Sequence, residues 1–486
     1  MKEIIVRQTS IVLPDYDLGD CIKLENSLSV FNREDRYTKV THIGYDYNSE
    51  ERLLYVPRGL DINFIAKITG RKIVKDTNFN KPEKASIRLT SGPRNDLQKE
   101  SVAFLVGERK FLYTQNFSQK VLTLPTGAGK TYVTIAAMSF IKEKVMIITH
   151  VNLISEQWED KIQKFTQICE DDICILAGTK QLEKFEERYK EKGPLPYKIY
   201  IVNHDTLRAY AKKYGWENLN NIFKVLGIGI KVYDEAHKHF ENIINVDLHT
   251  NVKRTFYLTA TFRRSDRNEQ KVFDLCFKNV VKFGESSEGK EHINYFIYKY
   301  NSRPSKISQA DMKGHKGFKI YNYCDYCMKQ DLFKNALKTL LDLFTKTPGS
   351  IVILISKIDA CEKIKDFVQN LYPDEIVDTY HSKKSKEEND VALEASIIIA
   401  TIGGFGTGSD IPGLRFCINT VPYSSTVTAD QISGRLRKID DTTKSVYCEI
   451  IDTGFKSITR MLTAHKSYLS ERCGETFIMD ESKLQD

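Results

Sequence analysis

Two short strings hold the residues best suited to chemistry. The first is Leu124-Pro125-Thr126-Gly127-Ala128-Gly129-Lys130-Thr131, which follows the apolar run Lys120 to Leu124 and precedes a stretch of helical character, Tyr132 to Lys142. A glycine-rich turn between strand and helix lets backbone N–H groups converge on phosphate oxygens, and the helix N-terminus adds a dipole of the right sign. In that frame Pro125, Thr126, Gly127, Ala128 and Gly129 cradle a triphosphate. Lys130 holds its β- and γ-phosphates, and the Thr131 hydroxyl ligates Mg²⁺. The general phosphate-loop pattern begins with glycine and this chain has Leu124 there, but the Gly-Ala-Gly-Lys-Thr ending is intact.

The second string, Asp234-Glu235-Ala236-His237, directly follows the strand-like run Ile230 to Tyr233. An acid at the C-terminal end of a parallel strand faces the ligand crevice. Asp234 is then placed to hold the metal through water, and Glu235 to orient or deprotonate an attacking water. Alone, the tetrapeptide could open a solvated helix, and the glycine turn could be incidental. Together, about a hundred residues apart with strands between, they point to nucleoside-triphosphate hydrolysis. Cys324 and Cys327 form one CxxC, with His315 as the sole nearby companion. A structural zinc site needs four ligands, so the expectation is two thiols in a connecting hairpin or loop.

Positioning these strings requires parallel strands. Val145 to Thr149, Ile199 to Val202, Ile230 to Tyr233 and Thr255 to Thr259 read as buried strands separated by helix-like stretches such as Ile154 to Phe165. The alternation returns at Ile351 to Ile355, Ser396 to Thr401, Phe416 to Thr420 and Ser445 to Ile451. Two α/β sheets are therefore expected. From Arg263 to Gln330 the hydrophobic pattern weakens, which reads as an interdomain connection with an excursion, and the basic run Ser302 to Lys319 as a solvated loop. Residues up to Thr90, with short alternating runs at Glu3 to Arg7 and Leu53 to Val56 and a helix at Leu60 to Thr69, read as a small α+β module.

Composition fits. The 486 residues are 41% hydrophobic and 28% charged, which excludes a disordered chain. The net charge of +8 is compatible with a phosphate-backbone partner without identifying one. The ten cysteines form no disulfide framework, and no signal peptide or long apolar span is evident, so a reducing cytoplasm and no membrane association are expected.

With these residues in place, the stretch from Gln98 to Lys438 resembles superfamily-two helicases, its motifs in the family's order. The resemblance implies two tandem RecA-like parallel-sheet domains with a small N-terminal α+β module. The boundaries are 1–90 for the accessory, DNA-binding module, 91–285 for the first RecA-like domain, 286–465 for the second and 466–486 for a tail. Gln98 resembles the adenine-reading glutamine, although its spacing from Arg94 is one residue longer than usual and it could be an ordinary helix-start residue. Val145 to Trp158 resembles the strand and helix whose loop touches the nucleic-acid backbone, with Trp158 read as core packing rather than a base stacker. Leu258 to Arg263, containing Thr259-Ala260-Thr261, resembles the element coupling hydrolysis to domain movement. Thr401 to Gly413, with Gly406, Gly408 and Asp410, resembles the strand-gripping motif that also contacts nucleotide.

Gln431 to Lys438 resembles the arginine-finger motif, with Arg435 and Arg437 as candidates. The second arginine normally lies three residues after the first, where Lys438 stands here. Either Arg437 is the finger, or Arg435 alone serves catalysis and Arg437 makes a salt bridge. The resemblance further implies ATP and Mg²⁺, DNA as partner (single-stranded, forked or branched), and no assigned protein partner. The front module, through Tyr55-Val56-Pro57-Arg58-Gly59-Leu60, is similar to that of phage UvsW-type branch-migration helicases, which implies recombination, repair or fork remodelling in an infected bacterial cell. An RNA helicase, a duplex translocase that separates no strands, and a nucleotide-governed binding switch are the rival readings.

Overall fold

The computed structural model describes residues 2–34, 37–76, 79–107, 118–125, 127–150, 152–260, 262, 264, 267–284, 290–314, 317–406, 411, 413–440 and 442–481. The chain forms two compact units, Met1–Ser286 and Ser287–Asp486.

The first unit opens with strands β1 (Glu3–Val6), β2 (Ser10–Leu13), β3 (Ser29–Glu34), β4 (Tyr37–His42), β5 (Asp46–Asn48), β6 (Leu53–Pro57) and β7 (Lys72–Lys75). They form a mixed sheet in the order β5-β6-β2-β1-β7, and a separate hairpin of β3 and β4. The helix Ile62–Thr69 starts on Asp61, whose side chain accepts from the N–H groups of Asn63 and Phe64, and stops on Gly70 in the left-handed region (φ 65°).

Next come β8 (Gln119–Thr123), β9 (Lys144–Thr149), β10 (Ile173–Leu176), β11 (Ile199–Asn203), β12 (Ile228–Tyr233), β13 (Arg254–Thr259) and β14 (Val281–Phe283). Their order is β10-β11-β9-β12-β13-β8-β14, and every pairing is parallel. Every residue of β9 and β12 is buried, the mark of strands covered on both faces. A parallel sheet brings all its C-terminal strand ends to one edge, and that edge carries the site.

The front module is fused to this sheet's helical layer rather than tethered beside it. One hydrophobic core contains Ile11, Leu13, Leu54 and Val56 of the module together with Phe240, Ile243, Phe273 and Cys276. Polar links cross the same seam: the Gln8 N–H donates to Asn251 Oδ1 at 2.9 Å, and Asp46 Oδ2 lies 2.9 Å from His249 Nε2. Gly59 sits where a Cβ would come within 2.0 Å of the Cys276 carbonyl oxygen, so only glycine permits that approach.

The second unit contains β15 (Ile293–Tyr300), β16 (Lys313–Gly314), β17 (Gly317–Phe318), β18 (Ser350–Ile355), β19 (Val377–Tyr380), β20 (Ile397–Thr401), β21 (Leu414–Asn419), β22 (Ser445–Asp452) and β23 (Thr476–Asp480). The large sheet runs β19-β20-β18-β21-β22-β15-β23, again all parallel. Both large sheets have the RecA-like arrangement of parallel strands sandwiched between helices.

Three local expectations change. The weakly patterned stretch from 263 to 330 contains β14 and β15, which complete the two sheets. The basic run 302–319 is largely solvated over its described residues, as expected, but is not all loop: it holds the helix Lys306–Asp311 and the β16–β17 hairpin, with Met312 buried between them. The CxxC lies on the helix Ile320–Cys327, with both thiols buried in the core, rather than in a hairpin or loop. His315 lies outside the described residues, and no group of three or more metal-ligating side chains occurs among those described. The helix Lys456–Ser470 runs through position 465, and β23 pairs with β15 beyond it. No described helix is long and apolar enough to cross a membrane.

Candidate active site

The C-terminal ends of β8, β9, β12 and β13 bring the first unit's site residues together. The Leu124 N–H donates to the Thr259 carbonyl at 3.2 Å, the Asp234 N–H to Ile148 at 3.0 Å, and the Ala236 N–H to Leu258 at 2.9 Å. The phosphate turn, the acidic string and the Thr259 element are thus stitched by backbone.

Gly127 and Gly129 both take positive φ (88° and 94°), where a side chain would be strained, and Gly129 begins the helix Lys130–Ile141. A Cβ on Gly129 would lie 2.3 Å from Gln98 Nε2. Gln98 is buried; its Nε2 donates to the Ala128 carbonyl at 3.0 Å and its Oε1 accepts from the Arg94 N–H at 3.0 Å. An amide has two N–H donors and two oxygen lone pairs, and these two bonds use one of each. Lys130 Nζ donates to the Leu124 carbonyl at 3.0 Å. Pro125, Ala128 and Thr131 complete the described part of the turn; Thr126 lies outside the described residues.

Glu235 is held at φ 50°, a strained conformation for a side-chain-bearing residue of the kind that concentrates at functional sites. Its N–H donates to Asp234 Oδ1 at 3.0 Å, and its Oε2 is buried without a hydrogen bond, 3.3 Å from His237 Nδ1. Loss of water around Asp234, then the neighbouring Glu235 charge, pushes the Asp234 carboxyl above its ordinary range. The Trp158 N–H and the Lys130 charge oppose that rise. A desolvated carboxylate beside a second acid is stabilised in its charged form by a divalent cation, and the Asp234 carboxylate and Thr131 hydroxyl are oxygen donors of the kind Mg²⁺ takes. His237 Nδ1 lies 2.9 Å from Thr259 Oγ1, and Arg264 bonds the His237 carbonyl while its Nη2 pairs with Glu269 at 2.5 Å. Thr261 lies outside the described residues.

A histidine cluster flanks the acids. His150, after β9, lies 3.2 Å through Nε2 from Lys238 Nζ, and His204 stacks on His239 with ring centroids 5.3 Å apart. Burial first, then the charges of Lys238 and the other histidines, pushes His150 down to about 3. Burial, with His239 and His150, does the same to His204, also to about 3. Both are neutral imidazoles near neutral pH.

The sequence reading of Trp158 as core is correct and incomplete. Its ring is 2% exposed, and its Nε1–H donates to Asp234 Oδ2 at 2.9 Å. An i, i+4, i+8 series of Ile154, Trp158 and Ile162 identifies a buried helix face; nothing in it signals a bond to a residue 76 positions away.

In the second unit, the helix Thr426–Ser433 is capped by Ser425 and held at its C-terminal end by Lys290, whose Nζ donates to Asp430 Oδ1 and Ser433 Oγ at 2.7 Å each. The turn that follows buries Leu436, whose carbonyl lies 2.9 Å from His292 Nε2. Arg435, half-buried, and Arg437, exposed, flank that leucine, with Lys438 exposed beyond them. Gly406 ends the helix Ile402–Gly406, whereas Gly408 and Asp410 lie outside the described residues.

The family described as "Type III restriction enzyme, res subunit" matches residues 92–264, the span holding Gln98, the phosphate turn and the acidic string. The DNA 3'-5' helicase XPB of Kineococcus radiotolerans is 30% identical over 160 residues, 33% of this chain and 26% of that protein. Over residues 92–264 the chain is thus similar to the motor domain of superfamily-two helicases. The match spans only about a quarter of that helicase's length. A longer alignment joins this chain to transcript termination protein A18 of Yaba-like disease virus, 23% identical over 90% of this chain and 88% of the viral protein. Among solved structures, Dbp5 of S. cerevisiae bound to RNA and ADP BeF3 shares the fold at 13% identity and a TM-score of 0.53, covering 80% of this chain and 90% of that one. T4 UvsW aligns over 98% of this chain and 99% of its own, at 16% identity and a TM-score of 0.37.

Proposed function

We propose that this chain is an ATP-driven motor on DNA that unwinds or branch-migrates it during recombination, repair or replication, with the phage setting implied by the front module. The observation that carries the reading is the convergence on one sheet edge of a phosphate cradle, a strained Glu235 with an unbonded carboxylate oxygen, and a desolvated Asp234 beside it. The backbone of Gly127 to Gly129 and the Lys130 ammonium bind the phosphates, and Gln98 offers its remaining amide groups to adenine. Thr131 and Asp234 hold Mg²⁺, which when bound neutralises phosphate charge. Glu235 orients the attacking water and takes its proton. From the second unit, Arg437 or Arg435 stabilises the charge spread over the transferring phosphoryl group, and Gly408 and Asp410 contact nucleotide.

DNA as substrate is supported by the name of the bacterial relative and by the likeness of Leu258 to Asp266 and Phe405 to Leu414 to DNA-directed members of the superfamily; movement 3′ to 5′ accords with the same name. A second reading, action on RNA or on a transcription complex, is favoured by the viral transcript termination protein, whose alignment covers far more of the chain. ATP hydrolysis measured with single-stranded DNA, forks, four-way junctions and RNA separates them. Stimulation by DNA structures and not by RNA supports the proposal, and the reverse pattern selects the second reading. Lys130→Ala is expected to lose nucleotide use, and Glu235→Gln to bind ATP without turning it over. DNA-stimulated hydrolysis at the parent rate in either variant removes the site assignment.

A further inference from the structure

The segment from β9 into the helix Asn152–Phe165 is fastened at two points to the acidic string and at a third to Lys238, which follows it. The Ile148 carbonyl accepts the Asp234 N–H at 3.0 Å, Trp158 Nε1 donates to Asp234 Oδ2 at 2.9 Å, and His150 Nε2 lies 3.2 Å from Lys238 Nζ. The middle contact is the informative one. Packing alone explains a large ring at position 158, because Ile154, Trp158 and Ile162 form the buried face of the helix. It does not explain an N–H aimed at a carboxylate oxygen, which phenylalanine would satisfy equally well as filler.

Both oxygens of Asp234 are engaged, Oδ1 by the Glu235 N–H and Oδ2 by the indole. Each oxygen keeps a second lone pair, so the two donors fix the plane of the carboxylate while leaving it able to accept from a metal-bound water. Partners that orient a metal-holding group in this way commonly matter 10–100-fold in metal affinity or activity, roughly, when removed.

We infer that Trp158 is a positioning residue for the Mg²⁺ site: its indole N–H sets the orientation of Asp234, and through the helix Asn152–Phe165 it ties that carboxylate to the segment β9 leads into. This rests on the assignment of Asp234 under the proposed function. It assigns to Trp158 a role that neither its burial nor the family motifs indicate.

The chain has two tryptophans, and Trp216 lies in another helix, stacked on His249 at 5.0 Å between centroids. Trp216→Phe therefore leaves Trp158 as the single indole reporter in the full-length protein. Its emission is expected to change saturably when Mg²⁺ and ADP are added together, tracking binding measured in parallel by calorimetry, and to change much less with ADP and EDTA. In Trp158→Phe, the Mg²⁺ concentration needed for half-maximal tightening of ADP binding is expected to rise about 10–100-fold, with metal-free ADP affinity unchanged. A folded Trp158→Phe protein with the parent's Mg²⁺ dependence overturns the inference. So does silent Trp158 emission in Trp216→Phe protein whose Mg²⁺–ADP binding calorimetry records. If Trp158→Phe fails to fold by circular dichroism, the emission experiment decides alone. If calorimetry finds no ADP binding at all, the nucleotide-site assignment falls and this inference with it.

Discussion

At the residue scale, the two arginines after the helix Thr426–Ser433 differ in a way that bears on catalysis. Arg437 is exposed and Arg435 half-buried, on either side of Leu436. We propose Arg437, the more exposed of the two, as the finger, its planar fork suiting phosphoryl oxygens better than an ammonium does. We expect Arg437→Ala to lower the DNA-stimulated kcat by about 10³-fold or more with ADP affinity little changed. Arg435→Ala should then act more weakly, and single-turnover hydrolysis by both variants ranks them. A parent-like Arg437→Ala would transfer the role to Arg435.

The histidines make a second residue-scale case. His150 and His204 are pushed to about 3 by burial, and in the unfolded chain each would titrate near its ordinary value. A base whose folded pKa is depressed binds fewer protons folded than unfolded, so stability is fully present above about pH 6.5 and is lost as pH falls toward 3. From pH 7 to pH 5 the loss is about 2 kcal/mol per histidine. Chemical denaturation of the parent and of His204→Phe at both pH values checks this: the variant should lose less on acidification, and an equal loss would show that His204 is not among the responsible groups.

At the element scale, legibility followed burial. Strands β9, β11, β12 and β13 are continuous apolar runs because both faces are covered, and their positions were readable to within a residue or two. Strand β15, Ile-Asn-Tyr-Phe-Ile-Tyr-Lys-Tyr, was not, because three of its buried positions are tyrosines, of which Tyr295 and Tyr300 find hydroxyl partners inside: Tyr295 donates to Glu449 at 2.5 Å, Tyr300 meets the Tyr323 hydroxyl at 3.5 Å, and Glu449 lies 3.0 Å from His465. A polar network in a core reads as surface in a sequence. The seam of the front module was equally hidden, since its partners are some 200 residues away. Gly59 tests that seam. A methyl group there meets the Cys276 carbonyl, and the backbone must part, at a cost of about 1–3 kcal/mol by analogy with overpacked cores. Gly59→Ala should speed amide hydrogen exchange in the helix Arg267–Cys276 while leaving the second unit's exchange unchanged. Unaltered exchange in that helix would mean the module sits on the unit without supporting it.

At the scale of the whole molecule, each unit has its own parallel sheet and core, whereas the residues assigned to one reaction are divided between them. The phosphate turn and the acids belong to the first unit, and the arginines to the second. In the first unit the phosphate turn and the acidic string were readable because each directly follows its strand in sequence; the cross-links there, such as Trp158 to Asp234, were not, because they join positions that only folding brings together. If hydrolysis drives movement, nucleotide and polynucleotide must favour a common state of the chain, and such coupling is reciprocal. We expect Glu235→Gln to bind single-stranded DNA about 5–150-fold more tightly with ATP present than without it, the usual range of such coupling. The same DNA must then tighten ATP binding by the same factor, because both ratios close one thermodynamic cycle. Fluorescence anisotropy of labelled DNA and calorimetry of ATP, each run with and without the other ligand, measure the two sides. DNA affinity indifferent to ATP would leave an ATPase whose hydrolysis has no hold on its track, and the motor reading would fail even with the nucleotide site intact.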